Sequence, residues 1–309
     1  MKHIKLLYLF LLISWSSLPL QAADYLLQSP NGKLTVEIET KGQLSYTLKH
    51  NSQTLLDKSP IGLLLEDKIL GEDIKISRIK RNSSVKEHIV SPHYRLPSFE
   101  VTYNELNLKF KGNYGIIFRA YNEGIAYRFY TTMKGPLIIK DEMVQMNFPE
   151  DYPTFMSYST MPTGEDQYAM AFQNLYTKSS IKGVDTNNIA FLPITIDCGN
   201  ELKMTLLESD LEDYPGMFIK GDGKNTSLQG TFAHYPSEIK NFPPRAMKRI
   251  TKRTDYIART TGERNYPWRI WAITEKDTEM PVNNLVYALA SPNRIGDCSW
   301  IKTGKVAWD

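Results

Sequence analysis

I-I-F-R-A-Y-N-E-G-I-A-Y-R-F-Y, residues 116–130, is two alternating runs broken at Asn122-Glu123-Gly124. Successive side chains of an extended chain point to opposite faces, so each run reads as a strand and the break as a hairpin turn. Gly124 stands where such a turn wants a residue without a Cβ.

The same pattern continues on either side. Leu34, Val36 and Ile38 alternate, T-K-G-Q turns the chain, and Leu44, Tyr46 and Leu48 alternate again. Further strands are predicted at G-L-L-L-E (62–66), F-E-V-T-Y (99–103) and around Leu106, Leu108 and Phe110. In the second half they fall at I-A-F-L-P-I-T-I, at Leu202, Met204 and Leu206, at R-I-W-A-I-T and at L-V-Y-A-L. No window keeps a helical apolar period over several turns. Short strands punctuated by Gly, Pro and Asn predict an all-β chain folded as a large two-sheet sandwich. The 18 Tyr and 12 Phe suit that class.

The termini have a different character. M-K-H-I-K followed by an apolar run from Leu6 to Leu20 and then Q-A-A-D reads as a secretory signal peptide over residues 1–22. The run is short for a membrane span, which needs roughly 20 residues, so a secreted, periplasmic protein with no membrane attachment after signal removal is expected. Losing Lys2 and Lys5 takes the formal charge from +3 to +1. That balance offers nucleic acid no general attraction. Cys198 and Cys298 allow one disulfide without requiring it. From S-P-N-R at 291 a turn-rich connector leads to K-V-A-W-D, residues 305–309, which reads as a strand buried on both faces, as in a parallel barrel. The divisions that follow are 1–22, 23–291 and 292–309.

Motifs for the commoner chemistries are missing: there is no G-x-S-x-G, no Walker sequence and no dinucleotide fingerprint. His50, His88, His93 and His234 do not stand at metal-ligand spacing. Carboxylates are more suggestive. P-T-G-E-D-Q-Y places Glu165 and Asp166 in a loop with Tyr168 close by, and L-L-E-S-D-L-E-D-Y gathers Glu208, Asp210, Glu212 and Asp213. Rim loops can offer such oxygens to calcium or to sugar hydroxyls, although acidic loops are more often simply solvated. Trp271, in an alternating strand, reads as core, whereas Trp308 beside Asp309 ends a barrel-type strand, where active sites of that fold gather.

L-L-Q-S-P-N-G-K-L-T-V, Y-N-E-L at 103–106, the 116–130 hairpin, L-L-E-S-D-L-E-D-Y-P-G-M and P-W-R-I-W together resemble the amino-terminal region of glycoside hydrolase family 97. S-W-I-K-T-G-K-V-A-W-D is similar to the start of that family's (β/α)8 barrel, with Thr303 where a Pro is common. The resemblance runs through the whole mature chain and less than half of a complete member. It implies a galactose-mutarotase-like β-supersandwich ending in the first strand of an absent barrel. It also implies the substrate-side domain of a calcium-dependent α-glucosidase or α-galactosidase, acting on an oligosaccharide or α-glycoside. The acid and the base or nucleophile would lie in the missing barrel, so no catalytic residue is assigned here. Glu165, with Tyr168 completing E-x-x-Y, matches a sandwich-loop calcium ligand, and Trp308 and Asp309 are the expected substrate contacts. The alternative is a stand-alone, non-catalytic carbohydrate-binding sandwich.

Overall fold

The computed structural model describes residues 24–159, 166–169, 173–242, 247–302 and 304–307. Strands Tyr25–Gln28, Leu34–Glu39 and Ser45–His50 follow one another in antiparallel register, with Val36 opposite Leu48 and Ile38 opposite Tyr46. Strand Gln53–Leu65 continues this group through Pro60. From Ile61 it leaves the group and pairs with Gly124–Asn147. One chain segment thus joins the two layers of the sandwich. Long strands that change partners part-way make this a supersandwich.

Gly124–Asn147 is the spine of the second layer. Over 24 residues it pairs in turn with Tyr114–Tyr121, Trp268–Thr274, Ala258–Asn265, the end of Gln53–Leu65 and Ser227–Phe232. Among the described residues seventeen strands form one connected network, and Pro236–Phe242 with Met247–Arg253 form a separate two-stranded hairpin.

Between the layers lies the main core, where Leu34, Val36, Ile38 and Leu48 meet Phe118, Tyr127 and Trp271. Trp271 Nε1 donates to the Tyr46 hydroxyl at 3.0 Å, which satisfies a donor that burial would otherwise strand. The core position expected for Trp271 is the one found. A second, smaller core lies on the opposite face of the sheet, around Tyr103, Tyr121, Trp268 and Ile270. Strand Trp268–Thr274 serves both and is buried along its whole length.

Three local expectations are corrected. The predicted strands at 99–103 and 106–110 are one strand, Ser98–Phe110. Its odd-numbered Val101 and Tyr103 face the second core, and its even-numbered Leu106, Leu108 and Phe110 face the first. Regular alternation therefore continues while the buried face changes. L-V-Y-A-L is a short helix, Leu285–Leu289, that buries Leu285, Ala288 and Leu289 against the second core. Five apolar residues do not distinguish strand from helix by period alone. Finally, the hairpin at 116–130 pairs Tyr121 with Gly124, leaving Asn122 and Glu123 as the turn. Gly124, directly after the turn, has the positive φ (156°) expected of a glycine there, and packing demands it too: an added Cβ would run into the Trp271 carbonyl oxygen and lie 2.6 Å from Leu285 Cδ1.

Gly124→Ala is therefore expected to destabilise the chain by at least roughly 1–3 kcal/mol, the usual cost of overpacking. Urea denaturation should show a lower midpoint with an unchanged slope; an unchanged midpoint would refute the packing role.

Candidate functional site

The loop that carries P-T-G-E-D-Q-Y joins strands Pro153–Tyr158 and Thr177–Ser180 and includes the turn Gln167–Ala169. Each described residue of D-Q-Y is fixed by a different part of the fold. Arg253 makes a two-pronged bond to Asp166, with Nη2 2.9 Å and Nε 3.1 Å from Oδ2 and Nη2 3.2 Å from Oδ1. The same guanidinium donates to the His234 carbonyl. Gln167 donates to the Asn187 carbonyl at 3.0 Å and accepts from the Ile189 N–H at 2.9 Å. Tyr168 shares a 2.7 Å hydrogen bond with Thr231 and packs edge-on against Phe218. Burial pushes the Tyr168 phenol above its ordinary value, with Thr231 partly opposing. Arg253 comes from the Pro236–Phe242/Met247–Arg253 hairpin, which the sequence pattern did not reveal because its strands are mostly charged and polar.

A cavity of about 420 Å³ opens between this loop and that hairpin. Ile250 supplies apolar wall with the buried Ile189 behind it, and Lys220 and Lys252 stand beside it.

The second acidic run divides between core and surface. Glu208 is no rim residue: it shares the buried Arg269 with Glu142. Arg269 Nε and Nη2 reach the two Glu142 carboxylate oxygens at 2.9 and 2.7 Å, and Nη1 reaches Glu208 at 2.5 Å. The Met217 N–H also donates to Glu208, at 3.1 Å. Burial alone would lower the Arg269 pKa, but Glu142 and then Glu208 reverse this and hold the guanidinium charged. Asp210 pairs with Arg128 at 3.3 Å, Glu212 with Arg294 at 2.9 Å and Asp213 with Arg264 at 3.0 Å. Arg128 and Arg294 belong to sheet and connector respectively, so this loop fastens the connector; the Ser291 N–H adds a 3.0 Å bond to Asp210.

Glu165, Trp308 and Asp309, the expected metal and substrate contacts, lie outside the described residues. Residues 304–307 are exposed and carry no strand pairing. A strand buried on both faces needs neighbours for its backbone groups, and the described residues supply none there. Both cysteines are free: Cys198 is buried, which pushes its thiol up to about 12, while Cys298 sits on the connector. Among the described residues no group of three or more His, Cys, Asp or Glu could hold a metal ion. Calcium wants roughly 6–8 oxygens, and the acids considered above already face arginines. The described residues by themselves therefore do not fit a calcium site. Among them no helix is long and apolar enough to cross a membrane.

The sequence model described as glycosyl-hydrolase 97 N-terminal matches residues 27–292. A retaining alpha-galactosidase of Bacteroides thetaiotaomicron is 36% identical, over 99% of this chain and 47% of its own length. Among solved structures, a glycoside hydrolase family 97 enzyme from Pseudoalteromonas sp. strain K8, in complex with acarbose, superposes with a TM-score of 0.73 at 18% identity. That alignment covers 90% of this chain and 40% of the other; the same enzyme is also solved with panose. A beta-arabinopyranosidase superposes with a TM-score of 0.68 at 17% identity, over 82% of this chain and 40% of its own. The chain thus spans about half the length of the curated relative it matches.

Arg269→Met should cost about 3–5 kcal/mol, because it leaves two buried carboxylates without their cation. Burial already holds the Glu208 carboxyl above its ordinary value with Arg269 opposing, so removing that charge would raise it further. A raised folded-state pKa favours the fold at low pH and loses that benefit as pH rises through it. The deficit against wild type should accordingly be larger at pH 7 than near pH 4.5, as measured by urea unfolding at each pH. Adding Glu142→Leu and Glu208→Leu should recover most of the loss.

Proposed function

The chain belongs to glycoside hydrolase family 97, and from that premise we propose that it is the amino-terminal, substrate-side part of a retaining α-galactosidase. The observation that carries this reading is the 36% identity to a retaining alpha-galactosidase along 99% of the chain. At that level the match extends beyond fold to the loops and connector.

A retaining glycosidase uses two carboxyl groups about 5–5.5 Å apart, one as acid then base and one as nucleophile. Both must be free to exchange a proton or attack carbon. Asp166, Asp210, Glu212 and Asp213 are committed to arginines, and Glu208, 14% exposed, is committed to the buried Arg269. In our reading the reactive pair comes from the (β/α)8 barrel, within the part of the relatives that this chain does not span. The sandwich contributes shape and ligands at the edge of that site. Glu165 would offer one oxygen to a calcium ion, whose other ligands would have to come from outside the described residues; when bound, the ion would supply positive charge at the site. Asp166, clamped by Arg253, holds the chain immediately after Glu165. Trp308 offers a face for a sugar ring and Asp309 a carboxylate for its hydroxyls. Residues 1–22 direct the protein to the periplasm and are removed.

The 309-residue chain alone should not turn over an aryl α-galactoside above a blank, and calorimetric titration with calcium should show no micromolar site. When joined to a family barrel it should hydrolyse the substrate, lose that activity to a calcium chelator, and be slowed roughly tenfold or more by Glu165→Gln. Turnover by the chain alone, or calcium affinity in the micromolar range, would refute the division of labour between sandwich and barrel.

A further inference from the structure

The cavity of about 420 Å³ beside Asp166 falls within the roughly 300–1,000 Å³ typical of small-molecule sites. What it can bind depends on which of its polar atoms are still unfilled. Both amide atoms of Gln167 are used on backbone partners. The Tyr168 hydroxyl is taken by Thr231, and the Thr251 hydroxyl donates to Glu238 at 3.0 Å. Asp166 and Arg253 neutralise one another across a two-pronged bond.

Two ammonium groups are left. Lys220, on strand Met217–Gly221, makes no ion pair among the described residues. Lys252 has 73% of its side chain exposed and reaches Glu238 only at 3.6 Å, a carboxylate that already serves Lys240 at 3.2 Å. The apolar part of the wall is Ile250, with the buried Ile189 behind it. Lys220 stands on a strand of the large sheet and Lys252 on the separate hairpin, and both line the cavity. A cavity whose carboxylate is neutralised by Arg253, with an apolar face and cationic donors, suits an anion carried on a compact ring.

We propose that this cavity is a binding site for an acidic sugar unit, a hexuronate, whose carboxylate is taken by Lys220 and Lys252 while its ring lies against Ile250. The sugar identity of the ring rests on the carbohydrate reading above; the anionic character rests on the side chains alone.

The test is titration of the signal-free chain, followed by NMR or calorimetry, with methyl α-galacturonoside, methyl α-galactoside and sodium sulfate. The uronoside should bind saturably and weaken as sodium chloride rises, because exposed charges are screened. Lys220→Ala and Lys252→Ala should each weaken it about two- to fivefold, as expected for exposed ion pairs. Their circular dichroism should match wild type, since both side chains lie outside the core. Equal binding of the neutral galactoside would overturn the anionic assignment while leaving the carbohydrate reading intact. Sulfate binding as tightly as the uronoside would make this a plain anion site and overturn the sugar assignment, and no saturable binding would overturn the site itself. Failure of the α-galactosidase reading would appear separately, in the hydrolysis assay of the barrel-joined protein.

Discussion

A buried guanidinium organises this molecule. Arg269 lies in the fully buried strand Trp268–Thr274 and binds Glu142 of the spine strand and Glu208 of strand Lys203–Ser209. Charges of this kind are expensive to bury and are tolerated only when partners satisfy them in place. The three strands must therefore keep the register that brings these groups together. That register also places Trp271 against Tyr46 in one core and Trp268 in the other. Two apolar layers and one ionic knot thus specify a single arrangement more tightly than greasy surfaces alone would.

The same pairing habit governs the surface that faces the proposed chemistry. Rim carboxylates that looked available for metal or sugar are each answered by an arginine from another segment: Asp166 by Arg253, Asp210 by Arg128, Asp213 by Arg264. These pairs fix loops and connector instead of performing proton transfer. A domain built this way presents a firm edge, in a chain that spans about half of its curated relative. The lysines beside the Asp166 cavity are the exception, and their spare donors set that cavity apart from the rest of the rim.

Strand alternation was legible wherever one face was buried, as at Leu34, Val36 and Ile38, all fully buried. It was less legible where burial changed sides, so Ser98–Phe110 looked like two strands. The hairpin carrying Arg253 escaped notice because few of its residues are apolar, and its position depends on a contact across 87 residues, between Arg253 and Asp166. Glu208 shows the opposite failure. In sequence it belongs to an acidic loop, but its environment is decided by an arginine 61 residues away.

The sequence by itself determined the strand-rich class, most strand positions, the core role of Trp271 and the family, because periodicity and motif order are local or linear properties. Tertiary structure alone decided which acids are buried, which are paired and which cations remain free. Those outcomes depend on distances between segments remote along the chain, and electrostatic energy follows distance and burial.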